Sequence, residues 1–186
     1  MNKLVVSLLL TGLVASAHAA AKKSAPTAAP QAAQNPCADA SHHEFDFWLG
    51  QWKAAWPAGQ GSPAGTGTNH ITSAFDGCVV QEQFNGAPGM PLRGGSYSVY
   101  VPQAKAWKQT WVDNQGGYLD FSGGMESGSM ILSRDGLTPQ GQQVKQRMVW
   151  KNITHDAFDW SWERSTDGGK SWTVVWPIHY TRVKKG

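Results

Sequence analysis

The sequence predicts an all-β chain, an antiparallel up-and-down barrel of about ten strands with a short N-terminal helix plugging one end. Three observations carry this. Turn signals recur at roughly ten-residue spacing, from Asp76-Gly77 to Asp167-Gly168-Gly169. Between them, aromatic and β-branched residues alternate with polar ones. Beyond the opening stretch, no apolar period of helical length appears.

Residues 1–19 read as a signal peptide. Lys3 gives a positive start, Leu4 to Val14 is apolar, and Ala17-His18-Ala19 has the small-x-small form of a cleavage site. That apolar run is about eleven residues, short of the roughly twenty a bilayer helix requires. Residues 20–36, AAKKSAPTAAPQAAQNP, hold little to bury and form a flexible Ala/Pro-rich linker. Residues 37–186 have the size of one domain. The expected product is exported to the periplasm or extracellular space, with no membrane insertion after cleavage.

The net charge of +3 comes from the tails. Five of the 16 basic residues (Lys3, Lys22, Lys23, Lys184 and Lys185) lie there, leaving 11 against 13 acids, a core of −2. That balance argues against a nucleic-acid partner. Cys37 and Cys78 are expected to pair in an oxidising compartment. Such a bridge closes a loop of about forty residues and stabilises by roughly 4 kcal/mol in the chain-entropy view.

The predicted strands run 50–57, 67–75, 78–85, 95–102, 106–113, 117–123, 128–134, 142–151, 157–165 and 171–183. Connections this short make sequence neighbours spatial neighbours, and closure removes exposed edges. Period-two alternation places Trp107, Gln109 and Trp111 on one face of their strand. It does the same for Gln146, Met148 and Trp150, and for Phe158, Trp160 and Trp162. Trp172, Val174, Trp176, Ile178 and Tyr180 read as a fourth stripe. Turned inward, the stripes make either a filled core or the wall of a cup.

In FDFWLGQWKAAW, Phe45, Trp48, Leu49 and Trp52 recur at helical steps, then Gly50 stops the turn before the first strand. A helical turn followed by Gly-x-Trp resembles the start of lipocalin and related calycin barrels. The wider layout, FDFWLGQW … DGCVVQEQF … GGSYSVY … WKQTWVDNQGGYLDFSG … YTR, resembles exported bacterial proteins with lipocalin-like domains, which carry no settled activity. The resemblance implies that Arg182, near the end of the last strand, stacks over Trp52 and closes the ring. Such a cation–π contact is worth about 0.5–2 kcal/mol.

STDGGKSW, Ser165 to Trp172, resembles the Asp-box turn of sialidase-type propellers. A propeller repeats the motif in every blade, and one copy stands here, so it predicts a hairpin rather than glycosidase chemistry. HHEFD reads as an exposed helix end, without the i, i+4 histidine pair of a metal helix. Asn152-Ile153-Thr154 is a glycosylation acceptor only in a eukaryotic secretory route.

No nucleophile elbow, phosphate loop or zinc-protease helix is present, and no catalytic residue is assigned. The leading expectation is a non-catalytic barrel binding a small hydrophobic or aromatic molecule, with no resident cofactor or metal. Its lining candidates are Glu82, Trp107, Gln109, Trp111, Gln146, Trp150, Trp160 and Trp162, with Gln81 and Gln83 beside them. If inward, Glu82 requires a partner such as Arg147 or Arg93. The rival is a filled barrel acting as a structural or protein-interaction domain through its loops, such as Pro57 to Gly67 and Asn85 to Gly95. A third reading is an enzyme built on Glu82, or haem binding through His179 by resemblance to nitrobindin-like barrels. Strand parity turns His179 outward unless Pro177 marks a bulge.

Overall fold

The computed structural model describes residues 35–59, 63–138 and 140–184. The expected signal peptide, the linker through residue 34, and Pro139 of one predicted turn lie outside the described residues. Ten strands follow two short 3₁₀ turns, Ala40–His43 and Asp46–Trp48. The strands are β1 (Gly50–Trp56), β2 (Gly65–Ala74), β3 (Val79–Asn85), β4 (Arg93–Val101) and β5 (Ala106–Asp113). They continue with β6 (Tyr118–Glu126), β7 (Ser129–Leu137), β8 (Gln143–Lys151), β9 (Ala157–Ser165) and β10 (Thr173–Arg182).

Every strand pairs antiparallel with its sequence neighbours, and β1 pairs with both β2 and β10, so the sheet is a closed barrel. All ten predicted strands form, each within three residues of its expected bounds. This architecture is compatible with a calycin-like fold.

The plug is 3₁₀ rather than α, because Leu49 leaves helical geometry (ψ 134°) to start the strand. Phe45 and Trp48 are nonetheless fully buried and fill the lower end. Phe45 meets Trp107 and Trp150 edge-on at 4.9 and 5.3 Å, and Trp48 meets Trp150 at 5.3 Å. Offset and edge-to-face pairs of this kind add about 0.5–1.5 kcal/mol beyond area burial. His42 corrects the expectation of an exposed helix end. The first 3₁₀ turn carries it against Tyr100 at 5.2 Å, where it is buried and bonded to Asp39 at 2.8 Å.

Gly50 explains the Gly-x-Trp signature. Its φ of +129° suits glycine, and a β-carbon there would collide with Nη1 of Arg182. Arg182 stands opposite Trp52 in the β1–β10 register, its guanidinium 4.0 Å over the indole. The expected closure is therefore present. Cys37 and Cys78 form a disulfide with Cα atoms 5.2 Å apart, tying the N-terminal segment to the start of β3.

The fourth stripe needs correcting. A register shift between Val174 and Trp176 inserts Val175 as an extra residue and flips parity. Trp176, Ile178 and Tyr180 belong to the interior, whereas Val174 is exposed. Trp172 lies outside instead, its ring 4.0 Å from the guanidinium of Arg147. The Asp-box turn forms as expected. Asp167 accepts from the backbone N–H of Lys170 and Ser171, each at 3.0 Å, and the Trp172 indole donates to Gly169 O at 3.1 Å.

Candidate functional site

Because the plug occupies only the lower end, the upper half of the barrel holds a cavity of about 350 Å³ that opens at its rim. Trp48 of the plug forms part of its floor, and Leu92 and Gln115, on the β3–β4 and β5–β6 connections, reach its rim. The wall between is dominated by Trp111, Trp150, Trp160, Trp162 and Trp176, with Phe84 and Phe121. Trp176 lies edge-on to both Phe84 and Trp160, at 6.0 and 5.6 Å. Gly94 makes room for one of these rings, since a β-carbon there would overlap the Trp111 indole.

One wall carries a polar layer. Glu82 is 8% exposed and faces the cavity from β3. Its carboxylate accepts from Asn69 Nδ2 at 2.7 Å and Ser96 Oγ at 2.7 Å. Burial pushes its pKa up to about 7 against the two hydrogen bonds, which pull the other way. Tyr180 lines the cavity beside it, and Asn69 Nδ2 also reaches its hydroxyl at 3.5 Å. Burial, then the nearby Glu82 charge, raises the phenol well above its ordinary range. Gln109 donates to Ser98 at 2.8 Å in the adjacent inward row of β5 and β4.

The expected partners of Glu82, Arg147 and Arg93, are not there. Arg147 lies on the outer face and pairs with Glu163 at 2.6 Å, and Arg93 is exposed at the start of β4. Parity is the reason. A residue flanked by inward Gln146 and Met148 cannot reach the lumen. Gln81 and Gln83 face outward for the same reason, as immediate neighbours of an inward Glu82; Gln81 bonds the Tyr97 hydroxyl at 3.2 Å.

Of the eight lining candidates, the cavity wall includes Glu82, Trp111, Trp150, Trp160 and Trp162. Trp107 is buried lower, its indole donating to Glu44 at 3.1 Å. Gln109 is committed to Ser98, and Gln146 accepts from Arg134 at 2.7 Å above Phe121. Phe84, Phe121, Asn69 and Ser96 were not among the sequence candidates. Asn69 and Ser96 share parity with buried neighbours on β2 and β4, a signal too weak to mark them in two polar strands.

Asp113 lies at the rim and is held in its turn. It accepts from the Trp111 indole and the backbone N–H of Gln115 and Gly117, each at 2.9 Å. The indole bond first, then the backbone bonds, hold its pKa below the usual carboxylate range. His179 is 58% exposed on the outer face, bonded to Asp159 at 2.7 Å. Among the described residues, no cluster of three or more His, Cys, Asp or Glu side chains is placed to hold a metal ion.

The indole N–H groups of Trp48, Trp150 and Trp176 all belong to cavity-lining residues and have no hydrogen-bond partner among the described residues. Buried donors are normally satisfied. The site thus combines apolar walls with a few placed polar groups, the composition of small-molecule pockets. No protein-family model matches the chain, and no curated protein matches it.

Proposed function

We propose that the protein is an exported, non-catalytic barrel that binds a small hydrophobic or aromatic molecule in its lumen. The observation that carries this is the cavity of about 350 Å³ inside an otherwise closely packed aromatic core. Well-packed interiors leave few voids larger than a water molecule, so a void this size lined by indoles is a binding volume. Binding is favoured over catalysis because the two wall carboxylates are separately committed, Glu82 to Asn69 and Ser96, and Asp113 to its turn. Export is supported by the Cys37–Cys78 disulfide, which suits an oxidising compartment. No helix among the described residues is long and apolar enough to cross a membrane.

Titrating the purified chain with the neutral aromatic probe N-phenyl-1-naphthylamine tests the reading. Saturable quenching of tryptophan emission, with matching rise of probe emission, is expected. Emission from both partners unchanged at probe concentrations up to its solubility limit would overturn it and leave loop-mediated interaction as the better account.

A further inference from the structure

Resting on that reading of the lumen, we propose that its occupant is a small organic cation. The class is a primary to quaternary amine on an aromatic or aliphatic body, its charge near Glu82 and its body among the indoles of Trp111, Trp160, Trp162 and Trp176.

Charge is the first argument. The described residues lining the cavity include two carboxylates, Glu82 and Asp113, and no Lys, Arg or His. Arg134, turned inward on β7, is bonded to Gln146 and stacked 5.9 Å from Phe121, and is not among the residues lining the cavity. An anionic ligand would meet like charge on a desolvated wall. A cation would meet its complement.

The second argument is that Glu82 is incomplete. Its two donors, Asn69 and Ser96, are neutral, and no basic side chain of the described residues pairs with it. An ionised carboxylate offers about four acceptor sites, and two are used. Buried charge is normally paired, and a ligand ammonium at this wall supplies the missing counter-ion. Asn69 Oδ1, fully buried beside it, also lacks a donor among the described residues.

Third, indole faces attract cations through their quadrupole, most strongly when water is excluded. Four indoles share the cavity lining with that wall carboxylate, and a cation is the ligand sign that both attract. Burial's upward pressure on the Glu82 pKa fits this, because an adjacent cation relieves it by favouring the charged form.

Calorimetry at pH 8 with phenethylamine, benzyltrimethylammonium and the neutral 2-phenylethanol tests the proposal. Both cations are expected to bind at least tenfold tighter than the alcohol. Glu82→Gln should weaken them at least tenfold while changing the alcohol less than twofold, and Trp160→Leu should weaken benzyltrimethylammonium more than the alcohol. Equal affinities for the cations and the alcohol, or a cation preference intact in Glu82→Gln, would overturn the cation assignment while leaving a neutral aromatic site. Binding of N-phenyl-1-naphthylamine alone would do the same. Failure of every compound, that probe included, would overturn the lumen reading itself.

Discussion

Arg182 holds Trp52 from above, its guanidinium carbon 4.0 Å from the indole, while Nη1 and Nη2 donate to the carbonyls of Leu49 and Phe47 at 2.6 and 3.0 Å. One side chain on the last strand thus fixes the first strand and the plug. The indole N–H of Trp52 completes the joint by donating to Trp48 O at 2.7 Å. Arg182→Ala removes the stacking and three charge-assisted bonds together, the third from Nε to the carbonyl of His155, so a loss of about 3 kcal/mol in urea unfolding is expected. Arg182→Lys keeps the charge but not the planar fork, and should restore less than half of it. Equal stability of the lysine variant and the wild type would show that charge alone closes the ring.

The disulfide acts mainly on the unfolded chain. Cys37 and Cys78 are 41 residues apart, so the Cys37→Ser, Cys78→Ser double variant should lose about 4 kcal/mol. Reductant should lower the wild-type melting temperature and leave that of the variant unchanged. A reductant effect of equal size on both would assign the stabilisation elsewhere.

How much of this was legible in the sequence depends on where information resides. Strand positions follow from turn residues and alternation, which are local, and all ten appeared. Trp52 and Arg182 were legible only through resemblance, because residues 130 positions apart carry no local signal. The side of the barrel on which Trp172 falls was not legible, since one extra residue at Val175 reverses facing across the bulge, turning Trp172 and Val174 outward while Trp176, Ile178 and Tyr180 stay inward. Charge complementarity points Glu82 to Arg147 or Arg93, but neither side chain reaches the lumen. Alternation had already turned Arg147 outward, leaving neutral Asn69 and Ser96 to solvate the carboxylate.

That buried carboxylate makes stability depend on pH in a definite direction. The folded-state pKa of Glu82 is about 7, against an ordinary value of 4.5. Between those values the folded protein retains a proton that the unfolded chain has released, so stability falls as pH rises and levels off above 7. Each pH unit inside the window costs about 1.4 kcal/mol, with a total of about 3 kcal/mol. Glu82→Gln should therefore match the wild type near pH 5 and exceed it at pH 8 in urea unfolding. A constant difference between the two proteins across that range would show that Glu82 does not titrate there.

On the outer face, Arg147 and Glu163 form a different kind of pair. Arg147 donates from Nε to Glu163 at 2.7 Å, Ser161 donates to the other carboxylate oxygen at 2.8 Å, and Trp172 covers the guanidinium. Glu163 is 7% exposed, so removing its partner leaves a buried charge. Arg147→Met is expected to cost about 3 kcal/mol, and Arg147→Met with Glu163→Leu to recover most of that. A double variant no more stable than the single one would mean that packing under Trp172, rather than charge, sets the loss.

Leu119 separates an open lumen from a filled one. It is half-buried on β6, opposite Trp111 in the register, and lines the cavity close to its rim. An indole placed there has empty volume to enter, so Leu119→Trp should leave unfolding free energy within about 1 kcal/mol of the wild type, the small effect expected when no packed neighbour is displaced. The same ring would occupy space a ligand needs, and N-phenyl-1-naphthylamine affinity should fall at least tenfold. In a barrel packed solid the substitution overfills the core, with a typical cost of 1–3 kcal/mol. Stability and binding therefore move in opposite senses under the two accounts, and a destabilised variant with unchanged probe affinity would place the probe outside the lumen.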